Sequence, residues 1–394
     1  MAEGWGPGPW FTVDELLAEA EAVTGLADWG DDEFREPLGQ FVASLNAEAR
    51  LTAQGVARAH SHIRKMLVGR LRLYEDRKRF PAIGEERIAA PLFITGHGRS
   101  GTSYLNALLA ADPRHHAPRH WQIWTLSPPV NHPDTDNGPQ MAQGRHYIDF
   151  EGWADPEVRT RHDYSWDGVA EDTLISDYSF VGKAFPFFWN VPGYGRWLAS
   201  HGDARAGLRI ERKILQALQY GCPRDRWVLK NPTHLGILGD LFAEFPDARV
   251  IVNHRDPVKS LASMVGLLHA HRRQFGNAPV EVGRLFMLGA IAGAVATTRD
   301  LIRRRQDPAV DARFIDVHYL DLERDPLGEV GRIYERFGIA FTPQARAAMA
   351  AHIAANRKGK FGAHRYDIRE LGVSVAEVRE AFGFYYEAFA IPFE

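Results

Sequence analysis

Cysteine is nearly absent: Cys222 alone stands among 394 residues, so no internal disulfide framework can form, and the cytoplasm, a reducing compartment, is the expected location. An excess of one charge is missing too. With 47 Lys and Arg against 50 Asp and Glu the formal charge is only −3, so no global field draws the chain to nucleic acid or to an anionic membrane, and any anion site has to be built locally. Long apolar runs are lacking as well. The longest, 285–296, is about a dozen residues, short of the roughly 20 that span a bilayer, and is expected as a buried helix and not as a membrane span. The opening residues, MAEGWGPGPWF, carry no basic stretch followed by an apolar one and do not read as a secretory signal. Repeats and low-complexity tracts are missing, and no feature bears on oligomeric state.

What is present begins with helix. Thr12 followed by Asp14 and Glu15 is a helix start, Leu16, Leu17, Ala20 and Val23 follow at helical spacing, and the pattern continues to about Arg79. Its last part, 64–79, intersperses basic residues with Met66, Leu67, Leu71 and Leu73, as a solvated amphipathic helix would. Residues 1–85 are therefore expected as a mainly helical N-terminal region, and 86–394 as an α/β domain. In that domain PLFITG (91–96), WVLK (227–230), RVIVN (249–253) and RFIDV (313–317) are short apolar runs separated by helical segments at about 103–111, 234–245, 256–268 and 328–337. Alternation of this kind is what a parallel sheet with crossover helices requires. Between the first two strands, a loop- and helix-rich insertion at about 115–225 holds Trp121, Trp124, Trp153, Trp166, Trp189 and Trp197 with several Tyr and Phe. Core packing and an acceptor pocket both account for that enrichment.

The strongest chemical signal is Gly96-His97-Gly98-Arg99-Ser100-Gly101-Thr102-Ser103, placed after a strand and before a helix. Glycines let the backbone turn its N–H groups toward one point, and the helix N-terminus adds open donors and a positive dipole end, a combination that holds phosphate or sulfate. The string departs from G-x-x-x-x-G-K-[ST] at Thr102, where the lysine that neutralises a nucleoside triphosphate is expected. A kinase or ATPase is disfavoured for that reason; Arg99 can supply a forked charge instead. A second strand-to-helix junction reads Asn253-His254-Arg255-Asp256-Pro257, with Ser263 eight residues after Arg255. Ligands of open α/β sheets gather at strand ends, so two such junctions suit a ligand with two separated anionic groups. The His254-Arg255-Asp256 triplet is not a kinase catalytic loop, because Leu261 stands where the metal-binding asparagine would be and no D-F-G follows.

These two strings, PLFITGHGRSGTSYLNALLAADP and WVLKNPTHLGILGDLFAEFPDARVIVNHRDPVKSLASM, closely resemble those of the sulfotransferases that use 3′-phosphoadenosine-5′-phosphosulfate (PAPS), in particular a bacterial branch sharing features with tyrosylprotein sulfotransferases. The resemblance implies a P-loop-like α/β sheet flanked by helices. It implies that Gly98, Arg99, Ser100, Gly101, Thr102 and Ser103 hold the 5′-phosphosulfate, that Arg255 and Ser263 hold the 3′-phosphate, and that Lys230 stands beside the transferring group. Near the C-terminus, Arg357 and Lys358 resemble a basic segment that closes over the 3′-phosphate. Transfer to the hydroxyl of a small-molecule acceptor, with release of 3′,5′-adenosine bisphosphate (PAP) and no metal, is the implied reaction.

Acceptor activation is where the chain departs from its relatives. They carry a Trp-Glu pair shortly after the first helix, whereas this chain has Trp121-Gln122, and a glutamine cannot take a proton. His120 is the expected base, since imidazole titrates near neutrality; His115, His116 and Glu171 are the other candidates. A phosphotransferase that has lost its lysine, and a nucleotide-binding protein without turnover, are the alternatives; metal dependence and acceptor-dependent PAP release separate them from a sulfotransferase.

Overall fold

In the computed structural model, residues 6, 8–130, 132–152, 158, 164–279, 282–356 and 368–394 are described; Arg357 and Lys358 lie outside them. The chain forms two compact units. One comprises 1–88, 118–224 and 268–280, the other 89–117, 225–267 and 281–394.

The second unit is built on a five-stranded sheet: β1 Leu92–Gly96, β2 His115–His116, β3 Arg226–Lys230, β4 Arg249–His254 and β5 Phe314–His318. The order is β2-β3-β1-β4-β5 and every pairing is parallel. All five β1 residues are buried, as expected for the central strand of a sheet covered on both faces. Leu92, Ile94, Val228, Ile251 and Val317 pack with Leu105, Leu108 and Leu109 from the Thr102–Ala110 helix. Register sets Ile94 opposite Lys230 and Gly96 opposite Asn253, so the ends of β1, β3 and β4 come together where the chain passes from one side of β1 to the other.

Two expectations for this unit are corrected. The 234–245 segment is a 3-10 turn, Pro232–Gly236, followed by a helix Leu238–Glu244; Asn231 accepts from the Thr233 N–H at 2.9 Å and starts the turn early. The apolar run 285–296 lies in a longer helix, Arg284–Arg304, that is not buried. Met287, Ile291, Thr298 and Leu301 face inward, while Leu285 is 87% exposed. An unbroken apolar run has no periodicity to tell one face from the other. By length and composition this helix could cross a membrane, although its inward face packs on protein.

In the first unit, helices Val13–Thr24, Arg35–Glu48 and Ala53–Arg79 follow one another, and the first starts as expected, with Thr12 capping Glu15. The aromatic-rich stretch joins them in one core. Phe185 lies 4.5 Å from Phe41 and stacks on Phe180, Trp189 packs on Phe275 at 4.8 Å, and Trp124 meets His62 edge-on. The basic run is also less solvated than its composition suggests: Arg70 is buried, donating to the carbonyl of Trp29 at 3.0 Å and pairing with Asp31.

Candidate active site

Gly96 ends β1 with φ +138°, and a Cβ there would stand 2.3 Å from the Asn253 carbonyl oxygen, so only glycine lets β1 and β4 approach this closely. The loop then turns through Arg99, which takes φ +70° despite its side chain, and Gly101 at φ +89°. Non-glycine residues with positive φ are uncommon and concentrate at ligand sites. Gly98 is looser: an added Cβ would meet only the Met264 side chain, its sulfur at 3.5 Å.

Gly101 is the N-cap of the Thr102–Ala110 helix and has no side chain with which to accept from it. That first turn therefore lacks the side-chain acceptor that Ser, Thr or Asp would supply. Among the described residues, the N–H groups of Gly98 and Gly101 make no backbone–backbone hydrogen bond. Ser100 is fully buried and its Oγ has no partner; the same holds for Oδ1 of buried Asn253, whose amide donates to the Ser100 carbonyl at 3.4 Å. A polar occupant of the loop would satisfy both atoms. Thr102 is buried and Ser103 exposed on the same turn.

The second junction closes against the first. Arg99 Nε donates to Ser263 Oγ at 3.1 Å, and Arg255 Nη1 donates to the Arg99 carbonyl at 3.1 Å, so three of the residues singled out from sequence share one cluster. Arg255 is not paired with its neighbour Asp256. It binds Glu394, with Nε and Nη2 each 3.0 Å from a carboxylate oxygen, and lies 3.9 Å over the Tyr319 ring. Asp256, fully buried, instead accepts from the Val258 N–H at 2.9 Å, the Tyr386 hydroxyl at 2.6 Å and the Glu394 N–H at 2.9 Å. A helix whose first turn already holds a carboxylate has little left to offer an anion. Arg255 and Ser263 are what this one contributes.

Lys230 ends β3, buried, one strand from β1. Behind the loop, His97 bonds Thr298 Oγ1 at 3.0 Å between Phe382 and Tyr385; burial, with His254 nearby, holds it down to about 4, so it is neutral at pH 7. His254 in turn bonds Tyr385 at 2.9 Å and Asp316 at 2.8 Å, and Asp316 is held by Arg305 at 2.6 Å. That network fixes the end of β4 from which Arg255 projects.

His120, in the other unit, is fully buried. Its Nδ1 lies 2.9 Å from the Ser165 carbonyl oxygen, and its backbone N–H donates to Gly168. A carbonyl only accepts, so Nδ1 carries the proton and the basic lone pair is on Nε2. Gln122 accepts from the Arg119 N–H at 3.0 Å and so caps the short His120–Trp124 helix. His115 and His116 serve the sheet: the first bonds the Leu109 carbonyl at 2.9 Å and the second stacks on Trp227 at 4.6 Å. Glu171 is half-buried. Sequence reasoning gave Asn253 no role beyond its place in the second junction, and missed Tyr319 and Glu394. Asn253 could have been suspected from its place at a strand end, but nothing local signals a carboxylate 139 residues from Arg255.

Comparison with known proteins gives this geometry its context. Residues 91–343 match the model of the Sulfotransferase family. The omega-hydroxy-beta-dihydromenaquinone-9 sulfotransferase Stf3 of Mycobacterium bovis is 29% identical over 286 residues, 66% of this chain and 67% of that protein; the Mycobacterium tuberculosis protein of the same name matches equally. Among solved structures, sulfotransferase STF1 of M. tuberculosis H37Rv is 30% identical with a TM-score of 0.79, covering 95% of this chain and 99% of its own. Sulfotransferase STF9 of Mycobacterium avium is 26% identical with a TM-score of 0.86, covering 97% and 98%. The chain is a transferase enzyme and belongs to the sulfotransferase family.

Proposed function

We propose that the chain takes a sulfuryl group from PAPS, places it on the hydroxyl of a small-molecule acceptor and releases PAP. The observation that carries this is the loop from Gly98 to Ser103, whose glycine N-cap and unpartnered Ser100 hydroxyl lie at a helix N-terminus while Arg99 joins it to Ser263 and Arg255. Thr102 in place of a lysine argues against a nucleoside triphosphate and leaves the phosphotransferase without support.

When bound, PAPS supplies an activated sulfuryl group on a phosphate leaving group. The chain's residues hold, orient and neutralise. Loop amides with Arg99 and Lys230 stabilise negative charge as it gathers at the 5′-phosphate, the electrostatic assistance that dominates such displacements. Arg255 and Ser263 anchor the 3′-phosphate and thereby the orientation. His120, with its Nδ1 proton fixed on Ser165, takes the acceptor proton at Nε2. Arg357 and Lys358 are proposed as further cations toward the 3′-phosphate. Stf3 is named for a hydroxylated menaquinone, so long-chain alcohols and hydroxylated prenyl lipids are the first acceptors to screen. The test is transfer of labelled sulfate from PAPS to such alcohols, with PAP release that depends on the acceptor. Release without the acceptor, or none at all across the panel while PAP still binds, would favour a binding protein without turnover.

A further inference from the structure

The Ala53–Arg79 helix carries Ser61, Arg64, Lys65, Val68, Gly69 and Arg72 at spacings of three and four, so they share one face. Trp124 to Ser127 lie opposite, and between them is a cavity of about 230 Å³. Among the described residues three cations line it and no carboxylate does, in a chain whose formal charge is −3. Its apolar walls are Val68, Trp124 and Leu126. The size is below the roughly 300–1,000 Å³ of pockets for drug-sized ligands, which suits one ring and one acidic group and not a nucleotide.

Each cation has its own standing. Arg64 is partly spent on Glu19 at 3.4 Å. Lys65 donates to Ser61 Oγ at 3.1 Å and rests over the Tyr147 ring at 4.1 Å. Arg72 is half-buried and, among the described residues, makes no hydrogen bond or close ion pair; its charge is met only at longer range, by the buried carboxyl of Asp76 one turn on, which itself accepts from Ser127. Gly69 is there for another reason, since a Cβ would stand 2.6 Å from the Tyr178 ring. A half-buried guanidinium with no acceptor, next to a second cation and an indole wall, is an arrangement that an anion completes.

We infer that this cavity binds a small organic anion, a phosphate monoester or carboxylate on an aromatic or apolar body. None of its residues belongs to the nucleotide loop or to the Arg255 cluster, so the inference stands or falls separately from the proposed reaction. The test is calorimetric titration of the full chain with phenyl phosphate, alongside Arg72→Ala, Lys65→Met and Arg255→Ala, each checked for an unchanged urea midpoint. Expected are one equivalent bound, affinity about tenfold lower in Arg72→Ala, a smaller loss in Lys65→Met, no change in Arg255→Ala, and weaker binding of inorganic phosphate. No saturation at millimolar concentration, or affinity unchanged in both Arg72→Ala and Lys65→Met, overturns the site. Loss in Arg255→Ala alone would place the anion in the nucleotide loop and also overturns it. Inorganic phosphate binding as tightly as phenyl phosphate overturns the role assigned to the Trp124 wall.

Discussion

Arg255 and Glu394 hold one another so closely that a ligand phosphate reaching the guanidinium has to displace a carboxylate. Two opposite outcomes follow from this one contact. Arg255→Ala removes a charge-assisted bond to a dianionic group and should weaken PAP by about 2–3 kcal/mol, roughly 30- to 150-fold; Glu394→Gln removes the competitor and should tighten PAP severalfold. Titration calorimetry on both variants reads the pair. If Glu394→Gln weakens PAP instead, the carboxylate supports the site and does not compete for it. His120 belongs to the same scale. As a base it should lose about 10²- to 10⁴-fold in kcat on substitution by Ala, with PAP affinity unchanged. A variant that loses PAP binding in parallel would mark His120 as structural.

At the scale of elements, the strand-loop-helix from β1 to Ala110 is where backbone geometry and function coincide. Gly96→Ala places a Cβ 2.3 Å from the Asn253 carbonyl at a φ of +138°, so it should lower the urea midpoint by an amount equivalent to about 2–4 kcal/mol and abolish PAP binding together with it. The loop and the strands β1, β3, β4 and β5 were legible in the sequence because buried parallel strands are short apolar runs and glycines punctuate them. β2 was not, since two histidines amid prolines have no period, and only pairing with β3 makes them a strand. The Asp256 cap was equally hidden: an Asp before a Pro is a recognisable helix start, but its further bonds to Tyr386 and Glu394 come from residues 130 and 138 positions away. Exposure of Leu285 escaped for the reason that an apolar run says what can be buried and not which face is.

For the whole molecule, one carboxylate gives a pH signature. Asp112 is fully buried; burial opposes its ionisation, but the hydrogen bonds from Arg114 at 2.7 and 3.0 Å and from Tyr334 at 2.8 Å outweigh that and hold it at about 2, against an ordinary 3.8. A depressed carboxyl contributes stability that is fully present above the unfolded value and is lost as pH falls from about 4 toward 2. Asp112→Asn should therefore cost on the order of 2 kcal/mol near neutrality and progressively less below pH 4, as urea denaturation at pH 6 and pH 3 would read. An equal cost at both pH values would mean that the ionised carboxylate is not what stabilises this corner.

The family follows from the chain as a whole, whereas the donor rests on the site, and calorimetric titration with PAP against ATP and Mg²⁺ tests it most directly. Micromolar PAP binding at one equivalent, without ATP binding, is the predicted result; tight ATP binding, or no PAP binding, would contradict the assignment of the Gly98–Ser103 loop to the phosphosulfate end of PAPS.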